Sequence, residues 1–514
     1  MSEGDACILG IDSSTTATKA VAWSRDGDSL GEGRCDIALR MPAPGRYEQN
    51  PDDWWESLCA ALADLGRGVD LGRIDALAIS NQRETVAFLS AAGEAVAPAI
   101  VWLDERARDT VDAFAARIGD DAMHRISGKH KDITPVVYRL AWLREHAPQT
   151  ARDLDIISDV QGFLVKRLTG AFATSWASAD PMGCWDIAGK CWSEDILDAL
   201  GWDARAFPAA QKPGSVLGTV TAQAAAQTGL RAGTPVIAGG GDGQCAGLGV
   251  GIIRPGAAYL NIGTAVVCGA YQADYAWGKA WRTMTAMDGD GYILESCLRS
   301  GTFLLNWLVD EVFSGAGAGN GGDDGERDGN GNGADRFAAL EARAAGLPPG
   351  ADGVTVLPYW SGVMNPHWDS AARGAIFGLA GNHGRAHLYR AVLEGIALDQ
   401  ADCMRMLERA TGHRVEQYYA VGGGAQSDLW CQIFADCLAR PVYRMNTVEA
   451  SALGAGMAAA AGGGAYRRVA DAADRMRGDI TARFTPGENA AAYARLLDAY
   501  PACYPAAKSA RGSP

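Results

Sequence analysis

Two aspartates stand where an apolar run gives way to small or hydroxyl-bearing residues. Asp12 closes the run ILGID and is followed by Ser13, Ser14, Thr15 and Thr16 before a second strand pattern, KAVAW. A carboxylate in that position can hold a hydrated Mg²⁺ while the N–H and O–H groups of the turn face phosphate oxygens. An Asx-type turn closing a hairpin accounts for the same residues without a ligand. Asp242 follows VIAGGG and precedes small residues at helical spacing. Glycines there let a substrate approach the backbone, and the carboxylate can accept a hydroxyl proton. A helix N-cap is the plainer reading, and both can hold at once.

Two further segments carry polar groups after apolar strands. ALAISNQRETVAFL places Arg83 and Glu84, and AIVWLDERA places Trp102 and Asp104. A donor fork, an acceptor and an aromatic wall suit a neutral polyhydroxy ligand, because each buried hydroxyl must both donate and accept. A surface ion pair beside a core tryptophan is the plainer reading of these residues taken alone. In YYAVGGGAQSDLWCQIFAD a strand ends in Gly422, Gly423 and Gly424, whose bare backbone can lie against a base or ribose, before a helix that Ser427 or Asp428 can cap. No G-x-x-x-x-G-K-[ST] occurs, which argues against a P-loop. The dinucleotide-like Gly454-Ala455-Gly456 follows a helical rather than a strand pattern and reads as helix packing, which removes a nicotinamide-dependent oxidoreductase from consideration.

The elements that position these residues alternate. Strand-length apolar runs such as ACILGID and DALAIS are separated by helical patterns such as DWWESLCAALADLG, which predicts an α/β protein with a covered sheet. At 514 residues the chain predicts two large domains, divided near residue 252 into an N-terminal part, 1–252, and a C-terminal part, 253–500. Residues 7–24 and 258–270 both read strand, hydroxyl-rich turn, strand. This echo fits duplicated halves, and it also fits any hairpin with a Thr/Gly turn. The glycine-rich stretch 314–334 predicts a disordered surface loop whose removal over 316–332 leaves activity largely intact, and 501–514 predicts a frayed tail.

A net charge of −15 repels nucleic acid and anionic membrane, so a polyanionic ligand must be held by local backbone groups and a metal. Twelve scattered cysteines without a C-x-x-C pair predict reduced thiols. MSEGDACILG lacks the basic and apolar regions of a signal peptide, and no apolar stretch reaches the roughly 18 residues of a membrane span, so a cytoplasmic location is expected.

In this order and at these separations the motifs resemble the FGGY family of carbohydrate kinases, over roughly residues 6–500. GAIFGLAGNHGRAHLYRAVLE (374–394) is similar to its C-terminal signature, and GGGAQSDLWCQIFAD with EASALGAG to its nucleotide-side motifs. The resemblance implies two actin-like domains of the ribonuclease H type around a cleft, with sugar mainly on the first, ATP mainly on the second, and Mg²⁺ between. Asp12 aligns with the phosphate-loop aspartate that serves Mg²⁺. Asp242 aligns with the catalytic base, which also faces the metal. Ser14, Thr15, Thr16, Gly263, Thr264, Gly422, Gly423, Gly424 and Asp428 fall on the ATP side, and Arg83, Glu84, Trp102 and Gln244 join Asp242 around the sugar. One departure is Arg139 three residues before Trp142, where the family usually has lysine.

Ser80-Asn81-Gln82-Arg83-Glu84-Thr85 is closer to the glycerol kinase pattern than to the S-G-Q-M-H-G of xylulokinases. Gly243 nevertheless separates Asp242 from Gln244, and LPYWSGVMNPHWDSAARG is more sugar-kinase-like. The resemblance therefore implies ATP-dependent phosphorylation of a terminal hydroxyl of a small sugar, a ketopentose such as xylulose. The alternatives are a glycerol or erythritol kinase and a non-kinase actin-like ATP-binding switch. A homodimer stays open as the assembly.

Overall fold

The computed structural model describes residues 7–313, 333–447 and 449–510. Cys7–Ser13 and Ala17–Trp23 form an antiparallel hairpin, extended by Ser29–Asp36. On its other side Ile74–Asn81 and Pro235–Gly241 join in parallel, and Val216–Thr219 closes that edge antiparallel.

A second sheet repeats the plan. The hairpin Ala257–Ile262 with Val266–Gln272 is extended by Tyr292–Leu298. Gln417–Val421 and Val442–Met445 join in parallel on the other side and Ile480–Phe484 antiparallel, while Arg282–Thr285 is added at the far edge. The echo between 7–24 and 258–270 is thus the same hairpin in the same place in both sheets. The molecule has the α/β architecture of paired actin-like domains.

Helix Pro51–Leu65 shows how local sequence builds the cover of the first sheet. The Asn50 side chain accepts from the Asp52 N–H, Pro51 opens the helix, and Trp54, Leu58, Ala61, Leu62 and Leu65 form one buried stripe. The opposite face of that sheet is covered by helices from the far end of the chain, Ala450–Gly462 and Val469–Met476. The C-terminal part therefore returns to complete the first core.

Helix Asp242–Gly249 lies between the sheets. Its Cys245 and Leu248 share a core with Ile8 and Ile237 of the first, and its Ala246 and Val250 share one with Tyr259 and Tyr419 of the second. Apolar residues on both faces of this short helix, Cys245 and Leu248 on one and Ala246 on the other, suit that sandwiched position. A smaller five-stranded sheet beside the first contains Val86–Leu89 and Ala95–Ile100, so residues 82–85 are the turn by which the chain passes from one sheet to the other.

Two expectations at chain level are corrected. Gly333 and Ala334 open the helix Gly333–Ala345 rather than ending the loop, of which 314–332 lie outside the described residues. The tail is helical over Cys503–Ala510 and docks. Tyr504 stacks on His367 with ring centroids 3.8 Å apart and donates to Asp369 at 2.5 Å, and Lys508 pairs with the same carboxylate at 3.1 Å. Aromatic stacking and a shared acceptor offset the chain entropy that composition alone leaves uncompensated. All twelve cysteines are free.

Candidate active site

Parallel strands end on one rim, the place where open α/β sheets receive ligands. In the first sheet Asp12 pairs in register with Ser80, and Gly241 with Asn81, which brings Asp12 and Asp242 to the same rim on alternate strands. The Ser80 hydroxyl donates to Asp12 Oδ1 at 2.8 Å. Burial, with the charges of Asp242 and Glu449 adding to it, pushes the Asp12 carboxyl up to about 7 against the Ser80 hydrogen bond. Asp242 is the first residue of its helix, and its Oδ1 accepts from the Gly243 N–H at 2.7 Å. Its side chain is 43% exposed, leaving the carboxylate open to a substrate.

The turn between the two sheets carries Arg83 and Glu84, with Glu84 in the left-handed region at φ 52°. Arg83 Nε lies 2.8 Å from Asp242 Oδ1, and its Nη1 donates to both Glu295 oxygens, at 3.0 and 2.9 Å. Arg282 reaches Glu295 from the other side at 2.7 Å and Glu84 Oε1 at 2.7 Å, while the Tyr259 hydroxyl donates to Glu295 Oε2 at 2.5 Å. Burial would raise the Glu295 carboxyl, but Arg83 and Arg282 overcome it and hold the group at about 2.

Arg139 is fully buried and forks onto two backbone carbonyls, those of Glu84 at 2.7 Å and Trp102 at 2.8 Å. The guanidinium thus serves as a brace behind the site, with burial lowering it to about 10 despite Asp104 and Glu84. Trp102 is 39% exposed, and its indole N–H donates to Thr15 Oγ1 at 2.9 Å, tying the aromatic wall to the hydroxyl-rich turn. Within that turn Ser14 bonds the Ala17 carbonyl at 2.8 Å, and Thr16 is exposed.

Two further residues named from the sequence are buried. Gln244 is buried and donates to the Ala177 carbonyl at 2.9 Å, bracing the segment behind Asp242. Asp104 is fully buried under Arg106, at 2.8 Å from both Nε and Nη2, and caps the Tyr47 N–H, so it is structural.

A narrow recess opens beside this network, lined by Glu84, Lys129, His130 and Asp132 from the first half and Arg282 and Trp368 from the second. Its charges have partners within the protein: Lys129 with Asp180 at 3.2 Å, Asp132 with Arg299 at 3.2 Å, and Arg282 with both glutamates. His130, held low in pKa by burial, stacks on Trp368 with centroids 4.8 Å apart and joins the two halves. Sequence reasoning missed Glu295, Arg282, Lys129 and Trp368. The polar run KHKDITP at 129–135 is the one local signal that points to this wall.

In the second sheet Asn261 pairs in register with Val421, so Gly263 and Thr264 emerge beside Gly422, Gly423 and Gly424. Thr264 is exposed, and its turn is braced by the Gly301 N–H donating to the Thr264 carbonyl at 2.8 Å. Gly422 has φ 88° and a Cβ there would lie 2.7 Å from the Ile262 carbonyl, so only glycine fits. Gly423 faces open space, leaving bare backbone for a planar ligand. Ser427, not Asp428, caps the following helix, accepting from the Trp430 N–H at 3.0 Å, and Asp428 pairs with Arg444 at 2.5 Å.

Asp12 and Asp242 stand on the same rim with interacting charges, a pair of carboxylates of the kind that could hold a divalent cation. Among the described residues no group of three or more His, Cys, Asp or Glu side chains could hold a metal by itself. Mg²⁺ suits such a pair, since it is bound through one or two carboxylates with water and substrate phosphates completing the shell. A buried carboxyl destabilised by neighbouring acids gains most from a cation.

Models of the N- and C-terminal domains of the FGGY family of carbohydrate kinases match residues 7–249 and 258–462. A xylulose kinase of Bacillus subtilis is 28% identical over 97% of this chain and 96% of its own. A glycerol kinase of Aromatoleum aromaticum is 30% identical over 93% and 94%. The crystal structure of xylulose kinase from Rhodospirillum rubrum superposes with a TM-score of 0.88 at 28% identity, covering 97% of this chain and 98% of the other. No helix among the described residues is long and apolar enough to cross a membrane.

Proposed function

The chain belongs to the FGGY family of carbohydrate kinases, and on that premise we propose that it phosphorylates a terminal hydroxyl of a small neutral sugar, a ketopentose such as xylulose, with Asp242 as the base. The observation that carries this reading is the half-exposed Asp242 carboxylate at the strand-end rim it shares with Asp12, held there by Arg83. Arg83, Arg282 and Lys129 are each already paired with carboxylates, which favours an uncharged sugar over an aldonate, since an added carboxylate would be desolvated without a partner.

In the reaction the sugar oxygen bonds to the γ-phosphorus of ATP and its proton passes to Asp242, while the bond to the bridging β–γ oxygen breaks and ADP leaves with the electron pair. Asp12 and Asp242 would hold Mg²⁺, which supplies charge neutralisation on the phosphates. The turn at 14–16 and the backbone at Gly263, Thr264 and Gly422–Gly424 would cradle the nucleotide, with Asp428 beside it. Arg83, Glu84 and Trp102 would orient the sugar, supported from behind by Gln244. The Arg83–Glu84 pair, held in the turn between the two sheets, also resembles a polyol site, which keeps glycerol and erythritol as the second reading.

The test is ADP release measured over xylulose, ribulose, erythritol, glycerol and gluconate, with Asp242→Asn beside the unsubstituted protein. Xylulose is expected to give the highest kcat/KM, and Asp242→Asn to lower kcat about 10²–10⁴-fold. Turnover that survives the substitution removes Asp242 from the chemistry. Tight nucleotide binding without sugar-stimulated ADP release would point instead to a switch protein.

A further inference from the structure

We propose that Glu295 is a positioning residue for phosphoryl transfer, holding Arg83 so that the base Asp242 is set by contacts from both halves of the cleft at once. The inference rests on the kinase reading above and deepens it. Glu295 belongs to the strand Tyr292–Leu298 of the second sheet, whereas Arg83 and Asp242 belong to the first half. One guanidinium spans both, with Nη1 on the two Glu295 oxygens and Nε on Asp242 Oδ1. Glu295 is itself fixed by Arg282 and the Tyr259 hydroxyl and is wholly buried, so its carboxylate has no freedom to follow a displaced partner.

The glycine at 243 gives an independent sign of the same arrangement. A Cβ there would stand 2.8 Å from Arg83 Nη2 and 2.9 Å from Glu295 Oε2. The residue between Asp242 and Gln244 is therefore small because a guanidinium–carboxylate pair lies against the start of the helix. With the Glu295 carboxylate removed, Arg83 loses its anchor on the second half, and Asp242 is no longer held in place from both sides.

The experiment compares Glu295→Gln, Glu295→Asp and Gly243→Ala with the unsubstituted protein, following ADP release with sugar and with ATP varied in turn. Glu295→Gln should lower sugar-dependent kcat by about tenfold or more while KM for ATP stays within about twofold, and Glu295→Asp should recover part of the loss. Gly243→Ala keeps every buried charge and adds a residue favourable to helix, yet should reproduce the kcat loss by displacing the same guanidinium. It carries the test if Glu295→Gln does not fold. Folded variants that turn over as fast as the parent overturn the proposal alone. Absence of sugar-stimulated ADP release from the parent overturns the kinase reading instead.

Discussion

Gly454→Ala tests whether close packing of two helices is what places the base. Helix Asp242–Gly249 and helix Ala450–Gly462 meet at Gly454, where a Cβ would lie 1.9 Å from the Cys245 carbonyl oxygen. Ordinary contact begins near 3.4 Å, so the two backbones must part by the difference, about 1.5 Å, and no flexible side chain can yield instead. Overpacking of this kind costs about 1–3 kcal/mol, and replacing a helical glycine by alanine returns about 1 kcal/mol. The net loss is therefore about 0–2 kcal/mol, a shift of several degrees at most in a melting curve.

Activity should respond far more strongly, because Asp242 sits one turn before Cys245 on the helix that moves and a 1 Å misplacement costs about 10²-fold in rate. The assay pairs thermal unfolding with kcat for sugar phosphorylation, using Gly68→Ala, where a Cβ meets open space, as the control. A folded Gly454→Ala enzyme with kcat within about threefold of the parent would refute the argument that this contact sets the base.

Asp12→Asn should raise the Mg²⁺ concentration needed for half-maximal rate by about tenfold or more, with sugar affinity little changed; an unchanged metal titration separates Asp12 from the cation. Arg139→Lys exchanges the planar fork that spans the Glu84 and Trp102 carbonyls for a single ammonium centre, so it should cost about 1–3 kcal/mol in unfolding experiments and raise KM for sugar more than KM for ATP. Asp399, far from the cleft under Tyr359, is pushed up to about 7 by burial, with Asp402 adding and the tyrosine hydroxyl opposing. Because the folded value lies above the unfolded one, its contribution is complete below about pH 4 and is lost as pH rises through 7. Asp399→Asn should thus gain on the parent between pH 5 and 8 by on the order of 3 kcal/mol, and parallel melting profiles across that range would exclude a protonated Asp399.

Much of the site was legible without coordinates because its parts are local. Asp12, Asp242 and the Gly422–Gly424 run each follow directly from a strand reaching its end, and the chemistry of a strand end depends on a few consecutive residues. The repeated hairpin was visible for the same reason. Arg83 was visible as a donor, but its partner was not. Glu295 lies 212 residues further along in an apolar strand, and its alternation marks it as one buried position among others.

The sequence by itself determined the alternating elements, the small residues that permit close approach and the acids at the rims, since these follow from backbone conformation and from which side chains a turn tolerates. Only the tertiary structure decided which charge Arg83 holds, that Asp104 is clamped by Arg106, that the tail docks, and that helix Ala450–Gly462 returns to the first sheet. The physical reason is that ion pairing and packing depend on distance in space, and chain order leaves those distances open until the two sheets close on each other.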